Sequence, residues 1–158
     1  MKKTVIVLLM LISIPLFAPV HNELYYEIKK VDINALMRER EIDRILTAIK
    51  IIESGGDYEA VGQSFEIGAY QFSPSTFEYY SIKFFGEVLD ISSPKNQDIV
   101  AREKIRWLLD KGWDIESIAS FWNCGSPEWE GKVGVNKHGV AYDVPSYVEK
   151  FKQIIEGT

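Results

Sequence analysis

Cysteine, histidine and positive charge are all scarce in this chain, and each scarcity excludes a class of protein. Cys124 is the single cysteine, so no disulfide can form within the chain and stability must come from a packed core. The two histidines, His21 and His138, are far apart and show no metal-ligand spacing, so we expect neither a metal nor another cofactor. Basic residues number 18 against 23 acidic ones, which argues against nucleic-acid binding.

Long hydrophobic runs are also missing, except at the N-terminus. Lys2 and Lys3 precede an apolar run over residues 4–17, and the small residue Ala18 follows, a pattern typical of a secretory signal peptide. The alternative is an uncleaved membrane anchor over residues 4–20, which is near the lower length limit for a bilayer span. We expect export to the periplasm or the extracellular space, with cleavage favoured; an anchor would keep the protein near a membrane.

The size and composition fit one folded domain. The chain has 158 residues, 46% of them hydrophobic, which is enough for one domain with a real core and too little for two. We expect a signal peptide over residues 1–18, a lead-in segment over 19–38 and one monomeric domain over 39–158. Loss of Lys2 and Lys3 with the signal peptide changes the formal net charge from −5 to −7, so charge does not steer the protein toward acidic surfaces.

Helix caps and apolar spacing predict a mostly helical domain. The first helix is expected over residues 34–54, broken or restarted near Arg40. Serine followed by proline, as N-cap and first helical residue, occurs twice, and an aspartate and a further proline mark two more helix starts. The later helices are expected to run from Pro74 to about Phe85, from Pro94 to about Lys111, from Asp114 to about Asn123, and onward from Pro145.

Two segments lack helical periodicity. Residues 55–72 are rich in glycine and short polar residues and should be irregular, with a small β-hairpin around 65–72. Residues 125–143 hold four glycines and should form a long loop. The predicted fold class is therefore α+β, mostly helical, with a small β or irregular insertion.

One glutamate lies on the apolar face of the first helix. At about 100° per residue, Glu53 falls roughly 20° from Ile42 and from Leu46, and roughly 40° from Ile49. The Gly55-Gly56 pair that follows is a helix stop. Burial and the negative end of the helix both disfavour a charged carboxylate and raise its pKa, which suits a general acid. The alternative is a glutamate tilted out to water at a frayed last turn.

Four short motifs follow one another along the chain. This ordered set resembles the soluble lytic transglycosylase family of the lysozyme-like superfamily, over about residues 42–155. The family pattern is Glu-Ser at a helix end, Gln-x-x-Pro-x-Thr, an aromatic-Asn-x-Gly, and a Tyr-Val pair. Each motif alone is weak evidence for the resemblance, whereas all four in the same order are specific to the family. The motifs as they stand here are Glu53-Ser54, Gln71 to Thr76 with Pro74, Trp122-Asn123-Cys124-Gly125, and Tyr147-Val148 after Pro145.

The resemblance implies an activity and a site. Members cut the β-1,4 bond between N-acetylmuramic acid and N-acetylglucosamine in peptidoglycan, with one glutamate as acid and then base, and leave a 1,6-anhydro end. It implies Glu53 as the catalytic residue, with the Tyr147 hydroxyl directed toward it. Peptidoglycan strands are the expected partner, bound through aromatic faces and hydrogen bonds, since 13% of the residues are aromatic. The implied substrate-binding residues are Gln71, Tyr70, Asn123 and Tyr147.

The sequence departs from the family just before its glutamine. There the family often carries Gly-Ala-x-Gly-Leu-Met. Here Gly68 takes the place of the second glycine, Ala69 and Tyr70 replace Leu-Met, and Phe65-Glu66 stands where Gly-Ala would be. The departure indicates a smaller, divergent branch.

Three alternatives stay open. A hydrolytic muramidase would need a second carboxylate, and Asp57, Glu59 and Glu66 are each interpreted as solvated loop acids. A non-catalytic wall-binding or assembly module would have lost the acid, which is present. A cysteine peptidase of the wall would pair Cys124 with His138, but this cysteine is at a predicted helix C-terminus, where a buried and inert thiol is expected.

Overall fold

A computed structural model describes residues 20–135 and 139–157, with side chains described from residue 33 onward. The chain divides into two units, Met1–Met37 and Arg38–Thr158. The expected signal peptide, the expected anchor up to residue 19, and His138 lie outside the described residues. Within the described part, no helix is both long enough and apolar enough to cross a bilayer.

The described residues form five helices and one short antiparallel hairpin. This confirms the mostly helical fold with a small β component. The helices are α1 (Val20–Ser54), α2 (Pro74–Phe85), α3 (Pro94–Asp110), α4 (Ile115–Cys124) and α5 (Val144–Gly157), and the strands are β1 (Val133–Val135) and β2 (Ala141–Asp143).

Capping bonds confirm three of the predicted helix starts. Ser73, Ser93 and Asp114 each accept a hydrogen bond from the backbone N–H three residues later, at 3.2, 3.4 and 2.8 Å. A proline follows each serine at a position where its missing N–H leaves no bond unmade. Helix α5 begins at Val144, one residue before the expected Pro145.

The expected break near Arg40 is wrong, because α1 is continuous. The sequence of α1 contains no glycine or proline, so nothing local interrupts the helix. Its exposed side is also joined to α3 by ion pairs. Glu39 accepts hydrogen bonds from Arg102 at 3.1 Å and from Arg106 at 2.8 Å.

Both segments predicted to lack helix contain some β pairing. The expectation of one long loop over residues 125–143 is wrong in part, because β1 and β2 lie within it. Strands of three residues are too short to show an alternating pattern in the sequence. Residues 55–72, called the insertion loop below, hold isolated bridges in place of a regular hairpin. These bridges join Val61 to Ile67 and Ile67 to Phe72.

The core lies along the apolar face of α1. The predicted stripe of Ile42, Leu46 and Ile49 is buried, with no member more than 4% exposed. Glu53 follows this stripe at the end of the helix, so the helix carries it to the edge of the core. Other elements contribute the large buried side chains of Phe77, Val100, Ile105, Leu108, Ile118 and Phe151.

One fully buried side chain, Gln97 of α3, fixes the insertion loop. Its Oε1 accepts from the Ala69 N–H at 2.9 Å, and its Nε2 donates to the carbonyls of Tyr58 and Ile91 at 3.1 and 2.9 Å. These bonds satisfy the buried amide, as burial requires. Gly68 packs against it with φ of +80°, and a Cβ there would clash with the Gln97 amide. Only glycine allows both this backbone conformation and this close approach.

Candidate active site

Two adjoining cavities form a groove beside the C-terminal end of α1. The Glu53 cavity has a volume of about 730 Å³ and the Lys104 cavity about 470 Å³. Each is named for a residue that lines it and does not line the other. The two cavities have four lining residues in common, so they adjoin along a shared wall and together are called the groove. The shared residues are Glu66, Gln71, Trp122 and Asn123.

Glu53 lies in the last turn of α1, partly buried, and lines the larger cavity. The helix ends at Ser54, and Gly55, with φ of +71°, turns the chain away. The Ser54 hydroxyl donates to the carbonyl of Ala69 at 3.0 Å. This bond ties the end of α1 to the insertion loop and thereby fixes where the Glu53 carboxyl lies.

The Tyr147 hydroxyl donates a hydrogen bond to Oε1 of Glu53 at 2.7 Å. Tyr147 is on the first turns of α5 and only 8% exposed, so packing holds its ring in place. The structure thus brings together two residues that the resemblance paired and that are 94 positions apart. Tyr147 lines neither cavity, so its contact is with Glu53 and not with the space that a ligand would fill.

Burial raises the pKa of Glu53 from its ordinary value of 4.5 to about 7. The Tyr147 hydrogen bond and the positive charge of Lys104 both stabilise the carboxylate and lower the pKa, while the charge of Glu66 raises it. Desolvation is the largest of these effects, so the net shift is upward, the direction predicted from the position of Glu53. A large fraction of molecules therefore hold this proton near neutral pH.

Gln71 lies on the wall that the two cavities share, with φ of +47°. Its Nε2 donates to the carbonyl of Gly68 at 2.9 Å, so it supports the loop backbone. Its Oε1 approaches Gly62 so closely that a Cβ at Gly62 would clash with it. A primary amide has two N–H donors and an accepting oxygen, so Gln71 keeps hydrogen-bonding capacity for a ligand in the groove.

Glu66, which the sequence analysis weighed as a second carboxylate, is a groove residue. It was expected to be a solvated loop acid, but it is partly buried, accepts from the Ser64 N–H at 3.0 Å and lines both cavities. Its position five residues before Gln71, inside the region of the family motif, was the available signal. Asp57 and Glu59 are exposed and line neither cavity, in keeping with solvated loop acids.

Lys104 is a groove residue that the sequence analysis did not single out. It lies in the middle of α3, is 4% exposed and lines the Lys104 cavity. Burial lowers its pKa from 10.5 to about 7, against the opposing effect of the Glu53 charge. Val100 and Leu108, four residues to either side on the same helix face, are fully buried. A lysine between two such residues was the signal in the sequence.

Helix α4 brings Trp122 and Asn123 to the shared wall. The Trp122 Nε1 donates to the carbonyl of Tyr70 at 3.2 Å, and its ring centroid is 5.2 Å from that of Phe72. Asn123 is exposed, and within the described residues its side chain makes no hydrogen bond. Its amide is therefore available to a ligand, and no bond supports the alternative that it caps the end of the helix.

The placement of Tyr70 differs from the expected contact with substrate. Its side chain is 1% exposed, its hydroxyl donates to Asp98 at 2.8 Å, and it lines neither cavity. Because the ring is enclosed in the core, it does not reach the groove. Its carbonyl instead holds the Trp122 indole, so Tyr70 acts as a positioning residue for the wall.

The expectation of a buried Cys124 is wrong. The thiol is exposed and lines the Glu53 cavity, because α4 ends at the surface of the groove. Its Sγ is 3.7 Å from the carbonyl oxygen of Ser126. His138, the partner that a cysteine peptidase would need, lies outside the described residues.

A mostly helical domain with a protonatable glutamate at a helix end, above a groove with aromatic and amide walls, has the design of a lysozyme-like domain. The family model described as "Transglycosylase SLT domain" matches residues 32–139, which is more than half of the chain. The chain belongs to this family, and membership implies lytic transglycosylase activity on the glycan strands of peptidoglycan. Comparison with curated proteins gave no match, and comparison with solved structures gave none either.

Proposed function

We propose that Glu53 alone serves as acid and then as base in this transglycosylase, and that the product strands end in 1,6-anhydro-N-acetylmuramic acid. The hydrogen bond of 2.7 Å between Tyr147 and the partly buried Glu53 carries the proposal. It holds one carboxyl oxygen, so the rotation of the side chain is restricted. Peptidoglycan lies outside the cytoplasmic membrane, which accords with the secretory pattern of residues 1–18.

The first step needs a proton at Glu53. With a pKa of about 7, the carboxyl retains its proton at mildly acidic pH and can give it to the glycosidic oxygen. The bond between that oxygen and C1 of the muramic acid breaks, and the oxygen keeps the electron pair. Glu53 is left as a carboxylate, which the Tyr147 hydroxyl and the charge of Lys104 stabilise.

The second step uses the same carboxylate as a base. The 6-hydroxyl of the muramic acid attacks C1, and its proton passes to Glu53, which restores the starting state. An intramolecular hydroxyl held against C1 has a large effective concentration, so no separate base is needed to activate water. Gln71, Asn123 and Trp122, on the shared wall, are the proposed contacts for the sugars on either side of the bond.

A hydrolytic muramidase is the second candidate, and Glu66 is the observation that favours it. A two-carboxylate hydrolase needs a second acid beside the scissile bond to activate water or to attack C1. Glu66 lines the same cavity as Glu53, and its charge acts on Glu53. It is the acid of the insertion loop that lines the groove, whereas Asp57 and Glu59 do not.

The Glu53→Gln variant tests the assignment. Glutamine keeps the shape of the side chain but cannot transfer the proton, so we expect cleavage of purified peptidoglycan to slow by about 10²–10⁴-fold. The measurement is the release of soluble glycan fragments at mildly acidic pH. Glu59→Gln is the matched control, since Glu59 is exposed and outside the groove, and it should cleave at the unaltered rate. A Glu53→Gln variant that cleaves as fast as the control would refute the role of Glu53.

A further inference from the structure

The side chain of Lys104 projects from α3 into a cage of aromatic rings. Its Nζ is 3.8 Å from the ring centroid of Trp122, and the rings of three other residues lie around it. The side chain is 4% exposed, and what remains open lies on the Lys104 cavity. The centroids of the other three rings, at 5.1, 5.5 and 5.7 Å, are those of Tyr80, Phe121 and Phe72.

This ammonium has no anionic partner at ion-pairing distance in the described part of the chain. Within those residues it makes no ion pair and donates no hydrogen bond; its contacts are with the four rings. The charge of the Glu53 carboxylate acts on this ammonium at a distance longer than an ion pair and raises its pKa. An ammonium has three N–H donors, so the rings leave its hydrogen-bonding capacity unused.

The aromatic cage alone does not compensate for the burial of the Lys104 ammonium. The faces of aromatic rings attract a cation and offset part of the cost of burying it, but they do not replace the lost water. Burial lowers the pKa of Lys104 to about 7 for this reason. An anion in the cavity would restore both the charge partner and the hydrogen bonds. A methionine would fill the same cage without any of this cost, so structural packing alone does not explain a lysine here.

We propose that the Lys104 cavity is an anion-binding subsite, in which the caged Lys104 ammonium binds a carboxylate carried by the muramic acid of the substrate. This rests on the proposed function, because it assumes that a peptidoglycan strand occupies the groove. Muramic acid bears a lactyl group that ends in a carboxylate when it is free and that is extended by a carboxylate-bearing stem peptide when it is not. Both sources present the same chemistry to Lys104.

The other walls of the cavity fit a polar, partly aromatic sugar substituent. The hydroxyls of Ser73, Ser75 and Thr76 and the amide of Asn123 line it together with the ring of Tyr79, and Glu66 borders it on the wall shared with the Glu53 cavity. These groups can bond sugar hydroxyls and acetamido groups, but within the described residues Lys104 is the cation that lines the cavity. The subsite therefore distinguishes muramic acid, which carries a carboxylate, from N-acetylglucosamine, which does not.

The test is binding of a disaccharide that the enzyme does not cut. N-acetylglucosaminyl-N-acetylmuramic acid lacks the scissile linkage and carries the lactyl carboxylate. Calorimetric titration of the unaltered chain at pH 6 would compare three ligands, namely this disaccharide, its neutral lactyl amide, and the disaccharide with a stem peptide. We expect at least one carboxylate-bearing ligand to bind on the order of ten- to a hundredfold more tightly than the neutral amide. The carboxylate-bearing ligand that binds more tightly than the neutral amide identifies the source of the carboxylate.

Lys104→Met should abolish this preference, while the affinity for the neutral amide stays within about twofold. Lys83→Met is the matched control. Lys83 also places its ammonium over a tryptophan, 3.4 Å from the Trp107 centroid, but it is exposed and lines neither cavity. The control should keep the preference. A preference that survives in Lys104→Met, or none in the unaltered chain, would overturn the subsite.

A measurement on the unaltered chain keeps the test independent of how Lys104→Met folds. The surrounding rings should shift the NMR resonances of the Lys104 CεH₂ group away from those of exposed lysines. Titration with the preferred carboxylate ligand should move these resonances, and titration with the neutral amide should not. Equal movement with both ligands would contradict the proposal. If no disaccharide binds while the unaltered chain still cleaves peptidoglycan, the subsite alone fails; if cleavage is also absent, the proposed function fails as well.

Discussion

At the scale of single residues, the site depends on a partly buried carboxyl and a buried ammonium whose pKa values lie in the same range. Burial brings the pKa of Glu53 up to about 7 and that of Lys104 down to about 7. Each charge stabilises the other. Lys104 therefore reduces the free-energy cost of the negative charge that Glu53 carries after it has given up its proton. The Tyr147 hydroxyl acts in the same direction, because it donates to the charged form.

The pH dependence of Tyr147→Phe follows from this contact. In the unaltered enzyme, the pH profile of kcat/KM should have a basic limb that begins near pH 7, where Glu53 loses its proton. Above that pH, kcat/KM should fall about tenfold per pH unit. Removing a hydrogen bond to the carboxylate raises the pKa of Glu53 further, so the limb should move upward by roughly one pH unit, with a lower plateau. The measurement is the pH profile of peptidoglycan cleavage.

Tyr142→Phe is the control for that profile. Tyr142 also lines the Glu53 cavity, but it is not among the groups that shift the pKa of Glu53. Its loss can alter binding and should leave the limb in place. A limb that stays put in Tyr147→Phe would mean that the hydrogen bond has no effect on the proton of Glu53.

The sequence anticipated Glu53 and its raised pKa because both follow from helical spacing and a helix stop. Glu66 and Lys104 could not be found in the same way. Glu66 reaches the groove through the fold of an irregular loop, and no periodicity describes that path. The partners of Lys104 come from three different elements, so its cage appears only in three dimensions. Tyr70 shows the reverse case, since its motif position suggested the groove, whereas its ring is buried in the core and its hydroxyl donates to Asp98.

At the scale of elements, the insertion loop carries the groove wall and depends on its attachment to α3. Gln97 holds the loop backbone at Ala69 and Tyr58, and Gly68 fits against the same amide. Helix ends were predictable, since serine, aspartate and proline signals are local. The loop was not, because its shape is fixed by a buried glutamine that is 28 residues away from the backbone it binds.

Gly68→Ala should therefore destabilise the protein more than an ordinary substitution of a left-handed glycine. The alanine Cβ adds strain at φ of +80° and would clash with the fully buried Gln97, which cannot move without losing its hydrogen bonds. We expect a loss of about 2–4 kcal/mol in the free energy of unfolding. Denaturant unfolding followed by circular dichroism would measure it.

Gly86→Ala, measured in the same experiment, gives the cost of the left-handed backbone conformation alone. Gly86 has φ of +79° at the end of α2, and no atom lies within 4 Å of the place a Cβ would take. Its loss should be about 1 kcal/mol. Equal losses at the two sites would show that the contact between Gly68 and Gln97 contributes nothing to stability.

At the scale of the whole molecule, the groove brings together residues that are far apart along the chain. Glu53 comes from α1, Gln71 from the insertion loop, Lys104 from α3 and Asn123 from α4, while α5 supplies the tyrosine that holds the acid. The order of the motifs along the sequence indicated the family, and the family match supports it. Only the structure shows how these motifs are arranged around one groove. It also places a second carboxylate, that of Glu66, in the groove.

The central claim is that Glu53 works without a second catalytic carboxylate, and the product of the reaction tests it most directly. Purified peptidoglycan would be digested by the unaltered chain and by Glu66→Gln, and the fragments analysed by mass spectrometry before and after borohydride reduction. We expect both proteins to release fragments that end in 1,6-anhydro-N-acetylmuramic acid, lighter by one water than hydrolysis products and unchanged by reduction. Reducible muramic acid ends from the unaltered chain, lost in Glu66→Gln, would contradict the account and establish a two-carboxylate hydrolase.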